Sequence, residues 1–335
     1  MTATLFRDII RLSWQIMWRY KYLWLFGFFA SLLGNGGEMQ VLLNNVINIS
    51  ESPTALLDLQ NLFSTGLLGV IFINIQDFLS GSLLQGIFIL LSFIVAGIAA
   101  VWLIITSQGA LYDGISKAIA GKKSDLAQGY RAGAHHFGTM LALMLLSSLV
   151  TYGLLFVFSL PIILILLVKS TETGILLYLL FAFVILIPLA LVVAFVAKYA
   201  ALYAVVHNQP LGRAIASGWL LFKKNILATV EMAFIIFGLG LVGAFALMIA
   251  LAFLSVPFIL LGFLTIALGT MAGFVLVVVL GFVVLTAAIG LYAAAFSAFR
   301  YTGWTIFFTR LVKNEGESKI LRAMSQAAQY FKRPA

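Results

Sequence analysis

The residues able to do chemistry are few. His135 and His136 are adjacent, His207 stands apart, and the stretch leading to the histidine pair also holds Asp113, Asp125 and Arg131. Carboxylate and imidazole groups gathered in one loop could perform acid–base chemistry on a lipid at a membrane surface. As metal ligands the paired histidines are poorly spaced. Neighbours on a helix point about 100° apart, whereas chelating pairs recur at i, i+4. The chain has no cysteine, which excludes disulfides, thiolate metal sites and thiol nucleophiles. It also lacks an H-E-x-x-H helix, a nucleophile elbow, a P-loop and a dinucleotide fingerprint. Neither a metal nor a cofactor is expected.

A second group of ionisable residues lies inside or beside long apolar runs. Lys198 precedes His207 by nine residues and Glu231 follows Lys224 by seven, while Asp77 has Asn74 and Gln76 beside it. Ions within a membrane seek partners or water, so these three are the candidate intramembrane polar residues. At a rise of about 1.5 Å per residue, Lys198 and Glu231 fall within roughly 10–15 Å of one membrane surface, where a lysine can also snorkel.

The apolar runs explain what must position these groups. Of 335 residues 63% are hydrophobic and 9% charged, against roughly a quarter charged in soluble domains. Segments 78–112, 137–168, 173–197 and 232–299 contain no Asp, Glu, Lys or Arg. Each reaches the roughly 20 residues that a helix needs to cross the hydrocarbon core. Stretches such as "FVLVVVLGFVVL" do not alternate as barrel strands do. The fold class is therefore all-α, a polytopic membrane helical bundle, with six spans at about 22–36, 82–110, 139–168, 174–204, 226–254 and 270–299. Residues 1–21 form an N-terminal amphipathic helix, 22–312 the membrane domain, and 313–335 a basic tail.

Charge sets the orientation. With both termini in the cytoplasm, 19 of the 20 basic residues fall at the cytoplasmic ends of spans or in cytoplasmic loops and tails, and Lys169 alone lies outside, as the positive-inside rule requires. That accounts for the net charge of +9 without invoking nucleic acid. The expected location is the cytoplasmic membrane, and the N-terminal stretch is expected to be an uncleaved first span. Phe6, Ile9, Ile10, Trp14, Met17 and Trp18 recur at helical spacing, opposite Arg7, Asp8, Arg11 and Gln15. Such a helix suits either a membrane surface or another protein face. The candidate interface residues are Arg7, Arg11, Trp14, Trp18, Lys122, Lys123, Arg213, Lys223 and Lys224, with anionic headgroups as expected partners. Pro257 is expected to end the fifth span. Gly129 and Gly133 match G-x-x-x-G but lie in a polar loop, where lipid-driven helix association does not apply.

An internal echo overlays this plan. Leu111-Tyr112, Leu202-Tyr203 and Leu291-Tyr292 recur at intervals of 91 and 89 residues, each placed near the cytoplasmic end of an even-numbered span. The lead-ins "SWQIMWRYKYLW", "GAHHFGTMLA" and "GWLLFKKNILA" precede the odd spans. Three tandem helical hairpins would produce this pattern.

The opening "SWQIMWRYKYLWLFGFFASLLG" and the loops "ALYDGISKAIAGKKSDLAQGYRAG" and "ALYAVVHNQPLGRAIASGW" resemble the membrane domain associated with glycerophosphoryl diester phosphodiesterases and related stand-alone six-helix prokaryotic proteins. The resemblance covers most of residues 5–300. In fused members catalysis belongs to a separate soluble domain, so the resemblance implies no activity and no catalytic residues here. The leading expectation is a non-catalytic scaffold or lipid- or partner-binding module. A transporter or channel with a site between hairpins, and a membrane-embedded lipid-modifying enzyme, are the alternatives.

Overall fold

The computed structural model describes residues 5–32, 83–122, 124–167 and 172–313. Every regular element among them is an α-helix: α1 (Leu5–Arg19), α2 (Tyr22–Ser31), α3 (Leu83–Ile119), α4 (Leu126–His135), α5 (Phe137–Leu167), α6 (Glu172–Val206), α7 (Leu211–Lys224), α8 (Ile226–Ala267) and α9 (Met271–Val312). Five of them, α3, α5, α6, α8 and α9, contain stretches long and apolar enough to cross a membrane. The chain is a membrane-embedded helical protein. Of the first expected span, the ten-residue α2 is described and residues 33–36 lie outside the described residues.

The chain divides into two compact units, one of Met1–Glu38 with Ile104–Ala335 and one of Met39–Leu103. In the second unit the described residues are 83–103, the first part of α3. The packed core belongs to the first unit.

Local chemistry sets the helix ends. Asp125 caps α4 by accepting a hydrogen bond from the Gln128 amide at 2.9 Å, filling one of the orphan donors of the first turn. Gly121 after α3 and Gly269 after α8 take positive φ angles of 70° and 68°. The next amide then reaches back to a helix carbonyl, Lys122 to Lys117 at 2.9 Å and Thr270 to Thr265 at 3.0 Å, which closes each helix. Asn208 turns the chain from α6 to α7 with φ 50°, a conformation asparagine tolerates better than most residues.

The protein core sits at the basic end of the helices. In the most apolar 18-residue window of each candidate span, only 6–17% of residues are buried. By contrast, Tyr301, Thr302, Gly303, Trp304, Thr305, Ile306, Phe307 and Phe308 are buried without interruption near the end of α9. Around them gather Phe6, Ile9 and Met17 of α1, Leu23 and Phe26 of α2, Leu111 and Ile115 of α3, Tyr199 and Leu202 of α6, and Phe222 of α7. Phe6 and Phe307 rings lie 6.2 Å apart, and Phe195 stacks on Phe222 at 6.0 Å. Aromatic pairs at such separations add about 0.5–1.5 kcal/mol beyond their buried area.

Small residues bring the helix backbones together. A Cβ on Gly218 of α7 would lie 2.9 Å from the Ala200 nitrogen and 3.1 Å from the Val196 oxygen of α6. A Cβ on Gly133 of α4 would overlap the Thr106 carbonyl oxygen and lie 2.9 Å from the Ala110 nitrogen of α3. A Cβ on Gly27 of α2 would overlap the Ala294 oxygen and lie 3.1 Å from the Ala298 nitrogen of α9. Each crossing presses a glycine against residues i and i+4 of a long helix. Gly129 and Gly133 are both buried; the polar sequence around them hid a packing face, because α4 folds back against α3 instead of lying in a loop.

Two further expectations change. Pro257 does not end the fifth span, since α8 runs through it to Ala267. Helices in apolar surroundings tolerate proline when neighbouring groups re-satisfy the freed backbone. The third Leu-Tyr is not equivalent to the first two. Leu111 and Leu202 are fully buried while Leu291 is 60% exposed, and α9 continues past Tyr292 to Val312. Aromatic and leucine content alone matched that copy to the others.

Candidate functional site at the basic end

Lys198 and Glu231 lie in the described residues; Asp77 and Lys123 lie outside them. Lys198 sits on α6 with its Nζ 4.2 Å from the centroid of the Trp304 indole. An ammonium over an indole face gains about 0.5–2 kcal/mol, more as water is excluded. The indole is fully buried, edge-on to Tyr199 at 6.4 Å and tilted against Phe195 at 5.8 Å. Tyr199 then links α6 to α8, its hydroxyl 2.8 Å from Thr229 Oγ1. Thr229 already donates to the Asn225 carbonyl at 2.8 Å. Its one proton is thereby committed, so Tyr199 donates and Thr229 accepts. Glu231 follows two residues later, half-buried. Lys198 thus occupies the last few turns of α6 and Glu231 the first few turns of α8, both partly buried at the basic end and away from the middle of the spans.

Two carboxylates of the loop constellation carry structural bonds. Asp113 pairs with Lys117 at 2.7 Å one helical turn away, and Asp125 is the α4 cap. His135 ends α4 on the exposed side, and its ring stands 5.0 Å from that of His136 at 77°. Among the described residues no group of three His, Asp or Glu side chains could hold a metal ion. His136 caps α4 where α5 begins. Burial pushes its pKa below the usual imidazole value, the neighbouring His135 adds to the effect, and Asp113 and Asn208 oppose it. The imidazole is held towards its neutral form.

The candidate interface residues divide by helix face. In α1, Phe6, Ile9, Ser13, Ile16 and Met17 are buried against the core, so one side of the apolar stripe packs on protein. Trp14 and Trp18 remain 56% and 46% exposed, beside exposed Arg7, Arg11 and Arg19. The two indoles lean on each other at 5.8 Å, and Trp18 meets Trp24 edge-on at 5.1 Å. The Trp24 indole is fixed in turn by donating to the Met17 carbonyl at 3.0 Å. Lys122 is exposed beyond α3, and Arg213, Lys223 and Lys224 are exposed on α7. Between them on α7, Trp219 and Leu220 are also exposed. Trp219 and the exposed Tyr130 of α4 did not stand out in the sequence. Their signal was present, an aromatic directly after a glycine in a short amphipathic helix, but it needed the helix boundaries to be recognised.

Comparison of the chain with protein-family models, with curated proteins and with solved structures yields no match.

Proposed function

We propose that this is a non-catalytic protein of the cytoplasmic membrane, a scaffold that binds lipid headgroups or a partner through its basic face. One observation carries the reading. The exposed cations and tryptophans of α1 and α7 surround a tightly packed core at one end of the helices, while Asp113 and Asp125 are each committed to structural bonds. Anionic headgroups attract such a face at about 1 kcal/mol per cation near the surface, and indoles settle at the headgroup level. In this reading the chain crosses the membrane six times, and α2 belongs to the first span. Both termini lie in the cytoplasm, three tandem hairpins make the bundle, and the similarity to the phosphodiesterase-associated membrane domain describes the embedded part alone.

The test is thermal unfolding of the detergent-purified protein with added lipid. Phosphatidylglycerol is expected to raise the midpoint above that with phosphatidylcholine, and 0.5 M salt to reduce the difference, since exposed charges are screened over a few ångströms there. Equal midpoints with both lipids would remove the headgroup-binding reading.

A further inference from the structure

The three short helices α1, α4 and α7 share a register that the Leu-Tyr echo does not reveal. Each carries a buried small residue followed at once by an exposed aromatic: Ser13-Trp14, Gly129-Tyr130 and Gly218-Trp219. Trp14 is 56% exposed, Tyr130 42% and Trp219 49%. In each case the helix breaks seven residues after the small residue, at Tyr20, His136 and Asn225. The residue before the break is Arg19, His135 or Lys224. An apolar helix begins within two residues of it, at Tyr22, Phe137 or Ile226.

The packing partners follow the same order. The buried side of α4 lies on α3 and α2, with Gly129 against the Phe26 ring of α2 and beside Ala110 of α3, and Gly133 one turn later meeting Thr106 of α3. The buried side of α7 lies on α6 at Val196 and Ala200. That of α1 lies on α9, where Ser13 Oγ would be 3.6 Å from a Cβ on Gly303. Two of the three short helices therefore pack on the long helix that precedes them, and the first packs on the last. A small residue turned into protein forces its neighbour about 100° around the helix, which places the aromatic at the flank.

We infer that Trp14, Tyr130 and Trp219 are three equivalent anchors in the headgroup layer of one leaflet. Each has an exposed cation within about one helical turn for anionic phospholipid: Arg11 for Trp14, Arg131 for Tyr130 and Lys223 for Trp219. The occupant is lipid and not a protein groove-filler because the same amphipathic pair, an aromatic with a nearby cation, recurs on three helices joined directly to membrane-long or apolar segments. Aromatic rings and basic side chains together are the boundary signature of embedded helices. The inference rests on the headgroup-binding reading above and adds to it a depth, three specific positions and an equivalence among them.

The native chain lacks cysteine, so single spin labels can be placed without other changes. Trp14→Cys, Tyr130→Cys and Trp219→Cys are labelled and reconstituted in bilayers of phosphatidylcholine with phosphatidylglycerol. Collision of the labels with oxygen and with a water-soluble nickel chelate then measures depth. All three are expected at the phosphate level, within about one helical turn (5.4 Å) of one another. A label at Lys122→Cys is expected to be fully water-accessible. Labels at the adjacent Gln15, Arg131 and Leu220 give the same reading if an aromatic proves essential for folding. One anchor in bulk water or deep in the hydrocarbon would overturn the equivalence. Three equal depths with no lipid-dependent shift in thermal midpoint would retain the anchors and discard anionic selectivity.

Discussion

At the scale of single residues the protein stakes most on Trp304 and the groups around it. The indole is fully buried beneath Lys198 and against Tyr199 and Phe195. Trp304→Ala is expected to cost about 3–5 kcal/mol, whereas Lys198→Met, which keeps the aliphatic stem, should cost under about 2 kcal/mol. Denaturant titration in mild detergent measures both. Tyr199→Phe removes the donor to Thr229 and should cost about 1 kcal/mol. His136 supplies a pH dependence of definite sign. Its folded pKa lies below the ordinary value because burial disfavours the imidazolium. As pH falls through about 6.5 the unfolded chain takes up the proton first, so stability is full above that range and declines below it. Thermal midpoints between pH 8 and pH 5.5 should fall less steeply in His136→Asn than in the parent. The intramembrane candidates Lys198 and Glu231 were legible from their isolation in apolar sequence. The place of Lys198 against Trp304 was not, because nothing local to it announces that α9 continues past Arg300.

At the scale of elements the decisive features are glycines at crossings. Gly133→Ala would drive a methyl into the Thr106 carbonyl of α3, so α4 must move away, at a cost of about 1–3 kcal/mol or more. Gly138→Ala, a few residues on, meets nothing within 4 Å. It should be neutral or gain up to about 1 kcal/mol from the better helix former. Unfolding of the two variants side by side separates a packing requirement from mere helix propensity. The spans themselves were plain in the sequence, since long charge-free runs have one physical solution in lipid. The short helices were harder. Composition marks α1 as amphipathic but cannot say whether lipid or protein meets its apolar side. The answer comes from α9, some three hundred residues away, which takes up Phe6, Ile9 and Met17. Pro257 misled for a related reason: the propensity that breaks soluble helices is overridden where an apolar segment has no alternative to helical hydrogen bonding.

At the scale of the whole molecule the helices outrun the membrane. α8 and α9 have 42 residues each, about 63 Å at 1.5 Å per residue, against a hydrocarbon core of about 30 Å. The surplus at the basic end is where α9 packs against α1, α2 and α6. This arrangement joins the two properties read separately from the sequence, an apolar body and a one-sided positive charge, into a single design. The embedded lengths stay open to lipid while the protein's own core is assembled at the charged surface. The central claim is that this core and its basic helices lie on the cytoplasmic side. Single-cysteine labelling of the cysteine-free chain tests it most directly, with a membrane-impermeant maleimide applied to intact cells. Arg7→Cys, Lys122→Cys, Arg213→Cys and Lys313→Cys are expected to stay unlabelled until the membrane is opened, while Leu268→Cys, at the α8–α9 turn, labels at once. Labelling of any of the four basic positions from outside, or protection of Leu268→Cys, would contradict the account.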